Sequence, residues 1–109
     1  MHLTKTLPFD KKKIDEIIKI HPTPFHVYDE KGIRENARRL TKAFSWAPEF
    51  REYFAVKANP NPYIVKIMRE EGFGADCSSL PELMLAEKAG IKGEMIMLTS
   101  NDTPASEFE

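Results

Sequence analysis

Three apolar stretches recur at a spacing of about 20 residues, and each is followed by the residues that open a helix. They begin at Tyr53, Gly74 and Met95. Asn61-Pro62 follows the first, Ser79-Leu80-Pro81-Glu82 the second and Thr103-Pro104 the third. Asparagine and serine cap helices through a side-chain oxygen, and proline suits the first turn because its missing N–H has no helical partner there anyway. Ile64, Val65, Ile67 and Met68 form the apolar stripe of the first of these helices, and Leu83, Met84 and Ala86 continue the second. Gly72 and Gly90 stand where these two helices should stop. Strand and helix in alternation predict βα units around a parallel sheet. The predicted second strand is Gly74–Ser78. The third, Met95–Thr99, is apolar throughout, as strands buried on both faces tend to be.

The first 48 residues read differently. Asp10 is an N-cap for a helix carrying Ile14, Ile17, Ile18 and Ile20, which His21-Pro22 stops because a residue before proline avoids the α region. Phe25–Tyr28 is predicted as a short strand. Asp29 caps a second helix from about Glu30 to Phe44 with Ile33, Ala37, Leu40 and Phe44 as its stripe, and Trp46-Ala47-Pro48 is a loop. We therefore divide the chain into 1–48, an N-terminal helix, strand and helix, and 49–109, two to three βα units.

Composition narrows the functional class. With 16 Lys+Arg against 17 Asp+Glu, the formal net charge of −1 argues against nucleic acid or an anionic membrane as partner. Lys11-Lys12-Lys13 is followed by Asp15 and Glu16 and reads as a solvated face. No apolar run approaches the ~20 residues of a membrane span, and the first residues lack the apolar stretch of a signal peptide. A single cysteine, Cys77, excludes an internal disulfide and fits a reducing, cytoplasmic compartment. His2, His21 and His26 are dispersed, so no metal site is expected.

The strand at Tyr53 carries a lysine near its C-terminal end. By alternation Phe54, Val56 and Ala58 share one face, and Tyr53, Ala55, Lys57 and Asn59 the other. Lys57 would then point away from the helices, where α/β proteins place their chemistry. It is either an amine nucleophile or a strand-end lysine with its ammonium in water.

The wording around Lys57 resembles a known family. Phe54–Pro62 (FAVKANPNP) looks like the cofactor-lysine segment of the pyridoxal-phosphate (PLP) decarboxylases of the alanine-racemase fold type, which include diaminopimelate, ornithine and arginine decarboxylases. Thr23–Leu40 resembles the N-terminal segment of diaminopimelate decarboxylases, Gly72–Ile91 their second barrel repeat and Met95–Glu109 their third. The resemblance implies an α/β fold, the first βα units of a PLP-binding (β/α)₈ barrel. Such a barrel takes about 250 residues, so the chain reads as the N-terminal piece of a larger protein. Alone, it is expected to be inactive and either to associate through an unpaired strand edge or to remain a loosely packed monomer.

By the same resemblance, Lys57 would form the Schiff base with PLP, a role lysine can fill once desolvation or neighbouring charge makes it nucleophilic. Asp76 would sit beside it, the alternative being a strand-end aspartate in a turn or cap. Asn59 and Glu82 are the further cofactor-site candidates. Asn59 reads equally well as a residue that holds the turn, and the spacing of Ser79 and Glu82 is that of a reciprocal capping box. Cys77, facing opposite to Asp76, is expected in the core. The implied activity is decarboxylation of an amino acid, foremost meso-diaminopimelate in lysine synthesis, by a homodimer of the full-length protein. Its phosphate-binding and substrate-selecting residues would lie beyond Glu109. Leu80-Pro81 departs from the glycine pair found in many diaminopimelate decarboxylases. The alternatives are an ornithine-, arginine- or carboxynorspermidine-type decarboxylase, more distantly a racemase, or a non-enzymatic relative that binds or regulates.

Overall fold

The helix signals upstream act where the sequence places them. In the computed structural model, which describes residues 6–108, α1 spans Lys11–Ile20. Its N-cap Asp10 accepts a hydrogen bond from the Lys13 N–H at 2.9 Å, and His21 ends it in an extended conformation. His2 lies outside the described residues. The chain forms two compact units, Met1–Glu30 and Lys31–Glu109. In the first, α1 buries none of its residues, and His21, Pro22, Phe25 and Val27 line an open apolar hollow with Ile17. Phe25–Tyr28, predicted as a strand, forms none: a strand needs a neighbour to complete its ladder, and no described segment pairs with it.

The second unit is built on α2 (Glu30–Ala43), β1 (Tyr53–Ala55), α3 (Pro62–Glu70), β2 (Gly74–Cys77), α4 (Leu80–Lys88) and β3 (Ile96–Leu98). The three strands form one parallel sheet in the order β1-β2-β3, so β2 is central and β3 is an edge. Its central rows are Phe54–Ala75–Ile96 and Ala55–Asp76–Met97. Both crossovers end alike. Gly72 and Gly90 adopt left-handed φ values of +88° and +85°, and the next N–H in each case turns back to a helix carbonyl: Phe73 to Met68 at 2.9 Å, Ile91 to Ala86 at 3.0 Å. The start of α3 is equally regular, with the Asn61 side chain accepting from the Tyr63 N–H at 2.9 Å and Pro62 in the first turn.

α3 and α4 pack on one side of the sheet. Val56, Val65, Ala75, Cys77, Ala86 and Ile91 form the buried core there, with Phe54, Leu83, Met95 and Ile96 against it. β3 departs from the expectation of burial on both faces: Met97 is 52% exposed and Leu98 38%. The reason is position, since an edge strand lacks one neighbour. Thr103-Pro104 opens only a 3₁₀ turn, Ala105–Glu107, among the described residues.

An ion-pair cluster fastens α2 to the end of α3. Glu70 and Glu71 stand at the negative pole of α3, an unfavourable place for carboxylates. Arg34 reaches Glu70 at 2.6 Å and Glu71 at 2.9 Å, and Arg38 holds Glu71 through two bonds of 2.7 and 2.8 Å. Hydrogen bonds and charge from these guanidiniums hold both carboxyls below their ordinary range.

Candidate active site

Among the described residues of the second unit, no helix covers the face of the sheet opposite α3 and α4, and the residues of that face change character along the strands. At the N-terminal end Tyr53 lies over Gly74, where a Cβ would come within 2.6 Å of the ring, and the Tyr53 hydroxyl donates to the Glu94 carbonyl at 2.7 Å. One layer further on, the row Ala55–Asp76–Met97 sets a carboxylate between a small and a flexible apolar side chain. Thr99, just past β3, donates its hydroxyl to Asp76 Oδ1 at 2.5 Å, while its N–H donates to the Cys77 carbonyl at 2.8 Å.

Lys57 is not on a strand. The ladder stops at Ala55, and Val56–Ala58 forms a 3₁₀ turn closed by the Asn59 N–H on the Val56 carbonyl at 3.1 Å. Alternation ends with the ladder, so the predicted sharing of a face with Tyr53 and Ala55 does not extend to Lys57. Val56 is fully buried and anchors the turn in the core, whereas Lys57 is exposed just past the C-terminal end of β1. Its amine has no hydrogen-bond or ion-pair partner among the described residues.

The other candidates separate. Asn59 Oδ1 accepts from the Asn61 N–H at 3.3 Å, so this side chain braces the turn that carries Lys57. The reciprocal capping box does not form. Ser79 is the N-cap of α4 without a side-chain bond, and Glu82 reaches one residue further back, accepting from the Ser78 N–H at 2.6 Å. Glu82 thereby ties the start of α4 to the end of β2, and it is partly buried. Cys77 lies in the core as expected, and burial, reinforced by Glu82 and Asp76, pushes its thiol up to about 11. At neutral pH it is an inert thiol. The residue that sequence reasoning passed over is Thr99. Strand spacing placed it at the end of the third strand, but only the observed register brings its hydroxyl to Asp76.

Comparison with known proteins places this arrangement. Residues 30–109 match the family described as pyridoxal-dependent decarboxylase, pyridoxal binding domain. The chain belongs to that family. It is 49% identical over 96 residues to Protein TabA of Pseudomonas amygdali pv. tabaci, covering 88% of this chain and 23% of that protein. It is 39% identical over 95 residues to the diaminopimelate decarboxylase of Methanothermobacter thermautotrophicus, covering 86% and 22%. The crystal structure of Helicobacter pylori diaminopimelate decarboxylase complexed with L-lysine superposes with a TM-score of 0.73 at 32% identity, covering 86% of this chain and 24% of that one. The three strands and their helices are thus the first βα units of a PLP-binding barrel. The chain spans about a quarter of the length of the relatives it matches.

The donor set suits that cofactor. A primary amine with no partner among the described residues is what a pyridoxal aldehyde would require, and a carboxylate such as that of Asp76 could pair with a cationic nitrogen. Ala55, the smallest side chain of its row, pairs with Asp76 in the register.

Proposed function

We propose that the protein to which this chain belongs is a PLP-dependent amino-acid decarboxylase acting on meso-diaminopimelate in lysine synthesis. Lys57 is the amine that holds the cofactor covalently, and Asp76 is the carboxylate that faces it. Asn59 and Glu82 act at one remove, the first bracing the Lys57 turn and the second fixing the end of β2. When bound, the cofactor supplies an electron sink for the pair left behind as carbon dioxide departs. The protein's part is orientation and charge: an amine on a turn anchored by Val56, and an anion fixed on the central strand.

The observation that carries this reading is the unpartnered lysine just past the end of β1, with the Asp76 carboxylate on the uncovered face of the adjoining strand. In α/β barrels the C-terminal ends of the strands are where reacting groups gather. The name of the Methanothermobacter thermautotrophicus relative supports the choice of diaminopimelate, as does the family resemblance of the three repeats. The working form is a cytoplasmic homodimer, a reading supported by the family resemblance and by a sequence whose single cysteine, Cys77, is buried. No helix among the described residues is long and apolar enough to cross a membrane.

The test is carbon dioxide release by the full-length protein with PLP, offered diaminopimelate, ornithine, arginine and lysine in turn. Diaminopimelate should be preferred, and Lys57→Ala should abolish turnover. A wide preference for ornithine or arginine would overturn the substrate, and a Lys57→Ala protein that still turns over would overturn the site.

A further inference from the structure

Asp76 lies on the central strand with no charged partner among the described residues, and the side-chain hydroxyl of Thr99 is its hydrogen-bond donor. The donor is itself held. The Thr99 N–H is bonded to the Cys77 carbonyl, so backbone and side chain of one residue grip β2 at adjacent positions. A hydroxyl has one proton to give, and given to Oδ1 it fixes the rotation of the carboxylate. Oδ2 has no hydrogen-bond partner among the described residues. Bonds from a hydroxyl to an ionised carboxylate are short and strong for their kind.

We infer that Thr99 is a positioning residue for the proposed reaction: its hydroxyl sets the orientation in which Asp76 presents its second oxygen to the cofactor. This rests on the reading of Lys57 and Asp76 given above. It adds a residue just past the third strand, so that consecutive βα units supply amine, anion and orienting donor.

Thr99→Val keeps the shape of the side chain and removes the donor; Thr99→Ser keeps the donor. In the full-length holoenzyme, Thr99→Val should lower kcat about fivefold with KM little changed, the loss expected for one net hydrogen bond. Thr99→Ser should restore most of it. Circular dichroism of the bound cofactor, which reports its orientation, should change in Thr99→Val and keep the native band in Thr99→Ser. In an Asp76→Asn background the Thr99→Val change should add nothing, because residues acting through one contact are not additive. Should Thr99→Val fold poorly, Thr99→Ala serves in the same comparisons. An equal loss in Thr99→Ser and Thr99→Val, or an undiminished loss in the Asp76→Asn background, would overturn the inference. Those outcomes leave the Lys57 assignment standing, which fails separately if Lys57→Ala retains a covalently held cofactor.

Discussion

One step along β2 separates two environments. Cys77 and its alternate Ala75 are fully buried against α3 and α4, in a core that includes Val65 and Ala86. Asp76, between them, looks onto a face that no helix covers, where its partner is a hydroxyl from the next repeat. Alternation makes this division possible: a single strand meets the demands of burial with every second residue and leaves the others free for chemistry. Stability and function are therefore written in interleaved positions, and changes at neighbouring residues should have unlike consequences.

The largest contrast is an aspartate moved by one position. Cys77→Asp buries a carboxylate without a partner and should cost on the order of 4 kcal/mol or prevent folding, read from the urea midpoint. Asp76→Asn should shift that midpoint by no more than about 0.5 kcal/mol, yet lower turnover about 100-fold or more. Comparable destabilisation by both would erase the distinction between the faces. Next in size is truncation of side chains. Ile91→Ala, at a site only 3% exposed, should lose about 2–5 kcal/mol. Met97→Ala, on the exposed edge strand, should lose under about 1 kcal/mol in this chain.

The smallest effect concerns the clasp between α2 and α3, and it sharpens the comparison by lying outside both faces. Glu71 has its folded pKa depressed by Arg38 and Arg34. Its contribution is thus fully present above the ordinary carboxylate value of about 4.5 and is lost as pH falls through the lower folded value. Glu71→Gln should be less stable than the parent at neutral pH, and the gap should close on acidification. A gap that widens toward acid would reverse the assigned sign.

Much of the fold was legible because its signals are local. Asp10 and Asn61 cap the helices they were expected to cap, and Gly72 and Gly90 end helices in the left-handed conformation that glycine favours. What stayed hidden depends on partners remote in sequence. Phe25–Tyr28 has a strand's composition and no neighbour to pair with among the described residues. The Lys57 strand stops at Ala55, two residues short of the lysine, because the Val56 carbonyl turns to the Asn59 N–H, a choice that apolar patterning cannot reveal. The Arg34 and Arg38 clasp spans more than thirty residues. Of the proposed site, Lys57 and Asp76 rest on the family wording, while the structure gives Asn59 as a turn brace and Glu82 as a tie to Ser78. Thr99 needed the register of β2 against β3.

The central claim is that the exposed amine past β1 is the cofactor's anchor. Borohydride reduction of the full-length protein with PLP, followed by peptide mass mapping, tests it most directly. The account predicts one reduced pyridoxyl group, on Lys57, absent from Lys57→Ala. A label on any other lysine, with the cofactor's absorbance intact in Lys57→Ala, would contradict it.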